Sequence, residues 1–244
     1  MAEVIIVDHA DAAGALAAAI IARRIERSRS FVLGVATGGT PSTTYRALAD
    51  LGLDLADVSA FALDQYVGLP AGHPESYAEV LRREVGEPLG ISADRLHVPV
   101  AGVAPQDAGD AYEQAIIEAG GIDLQILGIG TDAHIGFSEP GSSPVSLTRV
   151  KALTVQTRAD NSRFFDSIDN VPQHCITQGL GTIRRASSLV LLTVGVEKAA
   201  AIAGAVEGPM SASIPGSVIQ LHRTVIVDEA ASSALANTDY YCHA

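Results

Sequence analysis

The chain has 244 residues, 48% of them hydrophobic and 18% charged, with 16 Lys and Arg against 28 Asp and Glu and a net charge of −12. That balance excludes disorder, which needs low hydrophobicity. It also excludes a nucleic-acid or anionic-membrane surface, because affinity for phosphate backbones comes from clustered Lys and Arg.

Short β-branched runs alternate with helical patterns along the chain. Residues 4–7 read as a strand, and Asp11 offers an N-cap to a helix reaching about Arg27. Residues 31–35 form the next strand, followed by a Gly-Gly loop and a helix through Tyr45 and Leu48. A strand at 58–63, a Ser-capped helix at 76–85, a helix at 104–119 and a buried strand at 122–127 follow. Strand 189–194, helix 197–206 and strand 224–227 repeat the alternation. This rhythm implies βαβ units, so the expected fold is α/β: one domain, 1–244, with a largely parallel sheet flanked by helices. No Pro-, Gly- or Ser-rich linker divides it.

The N-terminus has neither the basic n-region nor the long apolar h-region of a signal peptide, and the Ala-rich run 12–22 is too short to span a bilayer. Two cysteines, Cys175 and Cys242, are too few for a disulfide framework and read as free thiols. The expectation is a cytoplasmic protein with no membrane and no nucleic-acid partner.

Ligands of such sheets bind beyond the carboxyl ends of the strands, so the loops there carry the chemistry. The first is Thr37-Gly38-Gly39-Thr40-Pro41. Two glycines admit a close ligand, and a helix N-terminus favours phosphate, although an ordinary βα turn has the same pattern. The second carries Asp64 just past an apolar strand, as a general base or as a turn cap. The third, 128–140, places Asp132, His134 and Glu139 within eight positions. An imidazole with two carboxylates to orient it suits proton transfer. No His-Glu-X-X-His and no zinc-spaced Cys/His pair is present, so no metal is expected. Arg163 and Lys198 stand out because cations are scarce here, as anion contacts or as solvated side chains.

Five ordered motifs tie these loops together: ATGGTPSTTY, LDQYVGLPAGHPESY, GIGTDAHIGFSEPGSS, TRADNSRFFD and the Glu197-Lys198-Ala199 helix start. On them the chain resembles the glucosamine-6-phosphate deaminase (isomerase) family, from about residue 31 to 228. The resemblance implies the Rossmann-like fold of deaminases, ribose-5-phosphate isomerases and CoA transferases. It implies conversion of D-glucosamine 6-phosphate and water to fructose 6-phosphate and ammonia, in amino-sugar catabolism and without a cofactor. It assigns Asp64 as the base for the C2 proton, His134 as the ring-opening acid/base, and Asp132 and Glu139 as its supporting carboxylates. It carries the substrate phosphate onto Gly38, Gly39, Thr40, Arg163 and Lys198. A sugar phosphate is therefore the expected partner.

Three departures from the family pattern stand out. Gln65 replaces the usual Glu after the catalytic Asp, and Thr131 and Ala133 flank Asp132 in place of Asn and Gly. Ser142, Ser143, Arg149 and Lys151 match part of the activator site of long hexameric members, but this chain stops at Ala244. Allosteric control is therefore not assumed, and monomer and homo-oligomer both remain open. The rival readings are a 6-phosphogluconolactonase, which shares the Gly-Gly-Thr loop but lacks the YVGLP and HPESY block, and a non-catalytic sugar-phosphate sensor. The latter tends to lose the catalytic cluster that is present here.

Overall fold

A computed structural model describes residues 3–28, 30–99, 104–221 and 224–241. Its first half runs β1 (Glu3–Val7), α1 (Ala10–Ile25), β2 (Phe31–Val35), α2 (Gly39–Asp50), β3 (Val58–Ala62), β4 (Asp64–Tyr66), α3 (Tyr77–Leu81), α4 (Glu87–Leu89), β5 (Leu96–His97) and α5 (Pro105–Glu118). Then come β6 (Leu124–Leu127), β7 (Arg149–Ala152), α6 (Val155–Asn161), β8 (His174–Thr177), α7 (Leu180–Arg184), β9 (Leu189–Thr193), α8 (Ala199–Val206), β10 (Thr224–Asp228), α9 (Glu229–Ser232) and α10 (Thr238–Tyr241).

Seven strands form one sheet in the order β1-β10-β9-β6-β2-β3-β5, and every neighbouring pair is parallel. The central strands β2 and β9 are buried at every position, which is why they read as unbroken apolar runs. Each fully buried Leu, Ile or Val there contributes about 1.5–3 kcal/mol of transfer free energy. The expected α/β fold with its parallel sheet is therefore present.

A second sheet, β4-β8-β7, is antiparallel and was not visible as strands in the sequence. Its strands have three or four residues, too few to show a period. It begins where the chain leaves the main sheet. The Leu63 N–H still bonds the Val35 carbonyl, while the Leu63 carbonyl accepts from Gln178 N of the second sheet. Asp64 is the next residue, so the junction of the two sheets sets its place.

Two helix boundaries differ from expectation. The cap of α1 is His9, whose Nδ1 accepts from Ala12 N at 3.2 Å, and Asp11 lies inside the first turn, where the helix dipole favours a carboxylate. The helix expected over 76–85 keeps its Ser76 cap but ends at Leu81 and widens into a π turn over Arg82–Gly86. Pro88 follows in α4, with no N–H to give and a ring that crowds the Glu84 carbonyl. No helix of the described residues is long and apolar enough to cross a membrane. Cys175 is a buried free thiol, and Cys242 lies outside the described residues.

Candidate active site

The carboxyl ends of β2, β3, β6 and β9 open onto one cavity of about 250 Å³. Thr37, Gly39 and Thr40 line it after β2, Asp64 after β3, Gly130, Thr131 and His134 after β6, and Lys198 after β9. Thr157, Asn161 and Arg163, from α6 and the turn beyond it, complete the wall. The loops picked out in the sequence thus converge, although they lie far apart in the chain.

The start of a helix and two cationic side chains meet on one wall of the cavity. The start of α2 has no side-chain cap, with Gly38 as its N-cap residue, and Tyr45 clamps both the N–H and the carbonyl of Ala36 to hold the loop before it. Lys198 stands at the N-cap of α8. Gly39, Thr40, Arg163 and Lys198 line both this cavity and an adjoining one, as do Thr131 and Asp160. Gly38 lines an adjoining cavity with Tyr66 and Tyr77. Arg163 sits on the exposed turn after α6, its guanidinium 4.8 Å from the Phe164 ring centre. The uncapped start of α2, a Lys and an Arg thus share one wall of the cavity.

The titratable groups of the other two loops range from buried to exposed. Asp64 is buried, and desolvation pushes its carboxyl up to about 7, against the opposing pull of His134. His134 Nδ1 lies 2.6 Å from Asp132 Oδ1, which also accepts the His134 N–H at 3.2 Å. Hydrogen bonding to His134 holds Asp132 down at about 2. Asp132 thereby settles which ring nitrogen it engages and leaves Nε2 for other chemistry. A close approach makes this possible: a Cβ on Gly130 would stand 2.3 Å from the His134 ring.

Glu139 is buried and bound on its far side. Its Oε1 accepts from Thr157 Oγ1 at 2.7 Å and from the N–H and hydroxyl of Thr154. One donor atom each from Asp132, His134 and Glu139 lies within 4.8 Å of the others, a set that a cation could draw on. Each of the three also has a hydrogen-bond partner in the protein.

The departures from the family pattern acquire physical reasons. Gln65 Oε1 accepts from the N–H groups of Tyr66 and Tyr77, both at 2.9 Å. An acceptor oxygen is what the position uses, and an amide supplies it without charge. Ala133 has φ of 66°, in the left-handed region where Gly is at home. Its buried methyl offsets part of the strain. A β-branched residue could not, so Ala133→Val is expected to lower stability by about 2 kcal/mol or more in denaturant unfolding, while Ala133→Gly stays near neutral.

Ser142, Arg149 and Lys151 are not among the residues lining the cavity. Arg149 reaches Ser138 Oγ, Ser142 Oγ and the Gln178 carbonyl at 3.2–3.4 Å. Sequence reasoning missed Tyr77 and Thr157 on the cavity wall. Both stand inside motifs already singled out, but neither is a titratable group of the ordinary catalytic range. Tyr77 stacks on Tyr66 with ring centres 4.9 Å apart, and burial raises its phenol well above the usual value.

Residues 7–227 match the glucosamine-6-phosphate isomerases/6-phosphogluconolactonase family. The chain belongs to that family. A glucosamine-6-phosphate deaminase of Bifidobacterium longum subsp. infantis is 51% identical over 260 residues, covering 100% of this chain and 96% of the relative. One of Streptomyces coelicolor is 53% identical over 249 residues, covering 99% and 95%. The solved structure of a monomeric glucosamine-6-phosphate deaminase superposes with a TM-score of 0.91 at 37% identity, over 95% of this chain and 99% of that one. A 6-phosphogluconolactonase from Trypanosoma cruzi superposes with a TM-score of 0.78 at 19% identity, over 97% of each chain, which is a likeness of fold.

Proposed function

We propose that this family member is a glucosamine-6-phosphate deaminase, converting D-glucosamine 6-phosphate and water to D-fructose 6-phosphate and ammonia. The observation that carries the reading is one cavity lined by a buried, weakly acidic Asp64, by His134, which Asp132 engages from outside the lining, and by Thr40, Arg163 and Lys198. The deaminases that match over nearly the whole chain support it.

The residues divide the work by environment. The start of α2, Arg163 and Lys198 hold the phosphate, a local cationic patch within a protein whose net charge of −12 repels the substrate at long range. His134 moves a proton between the ring oxygen and the anomeric hydroxyl, so the sugar opens to its aldehyde. Asp132 orients the imidazole, and Glu139 supports the exchange from the opposite side. Asp64 then takes the C2 proton, giving an enolamine. Return of a proton at C1 yields a ketimine. Water adds at C2, ammonia leaves, and fructose 6-phosphate remains.

A coupled assay on purified protein tests this. Ammonia and fructose 6-phosphate are expected to appear in equal amounts from glucosamine 6-phosphate. Hydrolysis of 6-phosphogluconolactone with no ammonia release would replace this reading with the lactonase one.

A further inference from the structure

The loop that presents Lys198 is held from outside by a carboxylate. We infer that Asp228 is a positioning residue for the phosphate end of the cavity, acting through Gly195; this rests on the reading of Lys198 as a phosphate contact. Asp228 is the last residue of β10, which runs parallel to β9 with Val227 opposite Thr193. The end of β10 therefore lies beside the loop that leaves β9.

Asp228 does two things there. Its Oδ1 accepts from Ala231 N at 2.8 Å, capping α9. Both of its oxygens also accept from the Gly195 N–H, at 3.0 and 3.2 Å. A helix cap alone does not require the second contact.

Gly195 is the pivot. Its φ of 97° is open to glycine and strained for an L side chain, and a Cβ there would stand 2.5 Å from Glu197 Oε2. Its N–H is tied to Asp228, and its carbonyl accepts the Lys198 N–H at 3.1 Å. One residue thus bridges the Asp228 carboxylate and the backbone of Lys198. From that anchor Lys198 begins α8 and joins Gly39, Thr40 and Arg163 on the cavity wall. Loss of the Asp228 contact frees Gly195 to sample other conformations, and Lys198 loses its preset direction. The damage falls on phosphate binding rather than on proton transfer, because Asp64 and His134 are carried by other loops.

Steady-state kinetics with glucosamine 6-phosphate, together with competitive inhibition by inorganic phosphate, tests this on the full chain. Asp228→Ala is expected to raise both KM and the phosphate inhibition constant about tenfold, the worth of one lost hydrogen bond, with kcat within about threefold. Asp228→Asn keeps the Oδ1 that receives both N–H groups, so it is expected to stay within about twofold of the parent. Gly195→Ala disturbs the turn and leaves the α9 cap intact. It is expected to copy Asp228→Ala, and it carries the test if Asp228→Ala fails to fold. A lowered Tm in Asp228→Ala with KM and phosphate inhibition unmoved would overturn the inference, as would an Asn variant as damaged as the Ala one. Lys198→Ala separates the two levels. If it leaves phosphate inhibition unchanged, the reading of Lys198 falls and the role of Asp228 falls with it. If it weakens inhibition while Asp228→Ala does not, only the positioning role falls.

Discussion

Asp64→Asn is expected to lower kcat by about 10²–10⁴ while substrate-analogue binding stays within a few-fold of the parent, since the amide keeps the shape and cannot take a proton. Isothermal titration with a non-reacting sugar phosphate beside the ammonia assay checks both halves. Full activity in the variant would show that another group takes the C2 proton. The pH dependence follows from the same burial. Asp64 must be ionised to act, and desolvation raises its carboxyl to about 7, so kcat/KM should climb through an acid limb near neutrality. The stability consequence has a definite sign. The folded state holds the proton more tightly than the unfolded chain, where the carboxyl titrates near its usual 3.8, so stability falls as pH rises from about 4 to 7 and is then flat. Asp64→Asn removes that cost, which is on the order of 4 kcal/mol at pH 8 and well under about 1 kcal/mol at pH 4. Urea unfolding of parent and variant at the two pH values measures it. A gain in stability on loss of activity marks strain held at a working site.

His134→Gln should also lose about 10²–10⁴ in kcat, but for a different step. If His134 opens the ring, the slow step in the variant moves from C2 proton abstraction to ring opening. The primary isotope effect with C2-deuterated substrate then shrinks toward unity. A full isotope effect in His134→Gln would take the imidazole out of ring opening. Asp132→Asn is a useful companion, because hydrogen bonding to His134 keeps Asp132 ionised down to about 2. An anion therefore faces His134 over the whole neutral range, and an amide in its place keeps an acceptor oxygen but removes the charge.

The centre of the main sheet was readable because β2, β6 and β9 are buried on both faces and stand out as largely apolar runs, whereas the two-residue β5 at its edge was not. The second sheet was not, since β4, β7 and β8 are short and partly polar and owe their pairing to residues far away. The Asp132–His134 contact was within reach of the sequence, being two positions apart. The partners of Glu139 were not. Its family role suggests a carboxylate facing His134, whereas its shortest contact runs to Thr157, 18 positions on in the segment that leads to Arg163. Thr157 and Tyr77 escaped notice because hydroxyls and phenols are common in packing and carry no charge at neutral pH.

Composition and local pattern by themselves determined the fold class, the loops that bear chemistry and the residue types available for proton transfer and phosphate binding. Those properties follow from strand periodicity and from the loops at strand ends, both written in neighbouring residues. Tertiary structure alone decided that Asp64 sits dry enough to titrate near 7, that Gln65 serves as a neutral acceptor for Tyr66 and Tyr77, and that Asp228 grips Gly195 from 33 positions away. Desolvation and hydrogen-bond partnership depend on what the folded chain packs around a group, and no local run of residues carries that information.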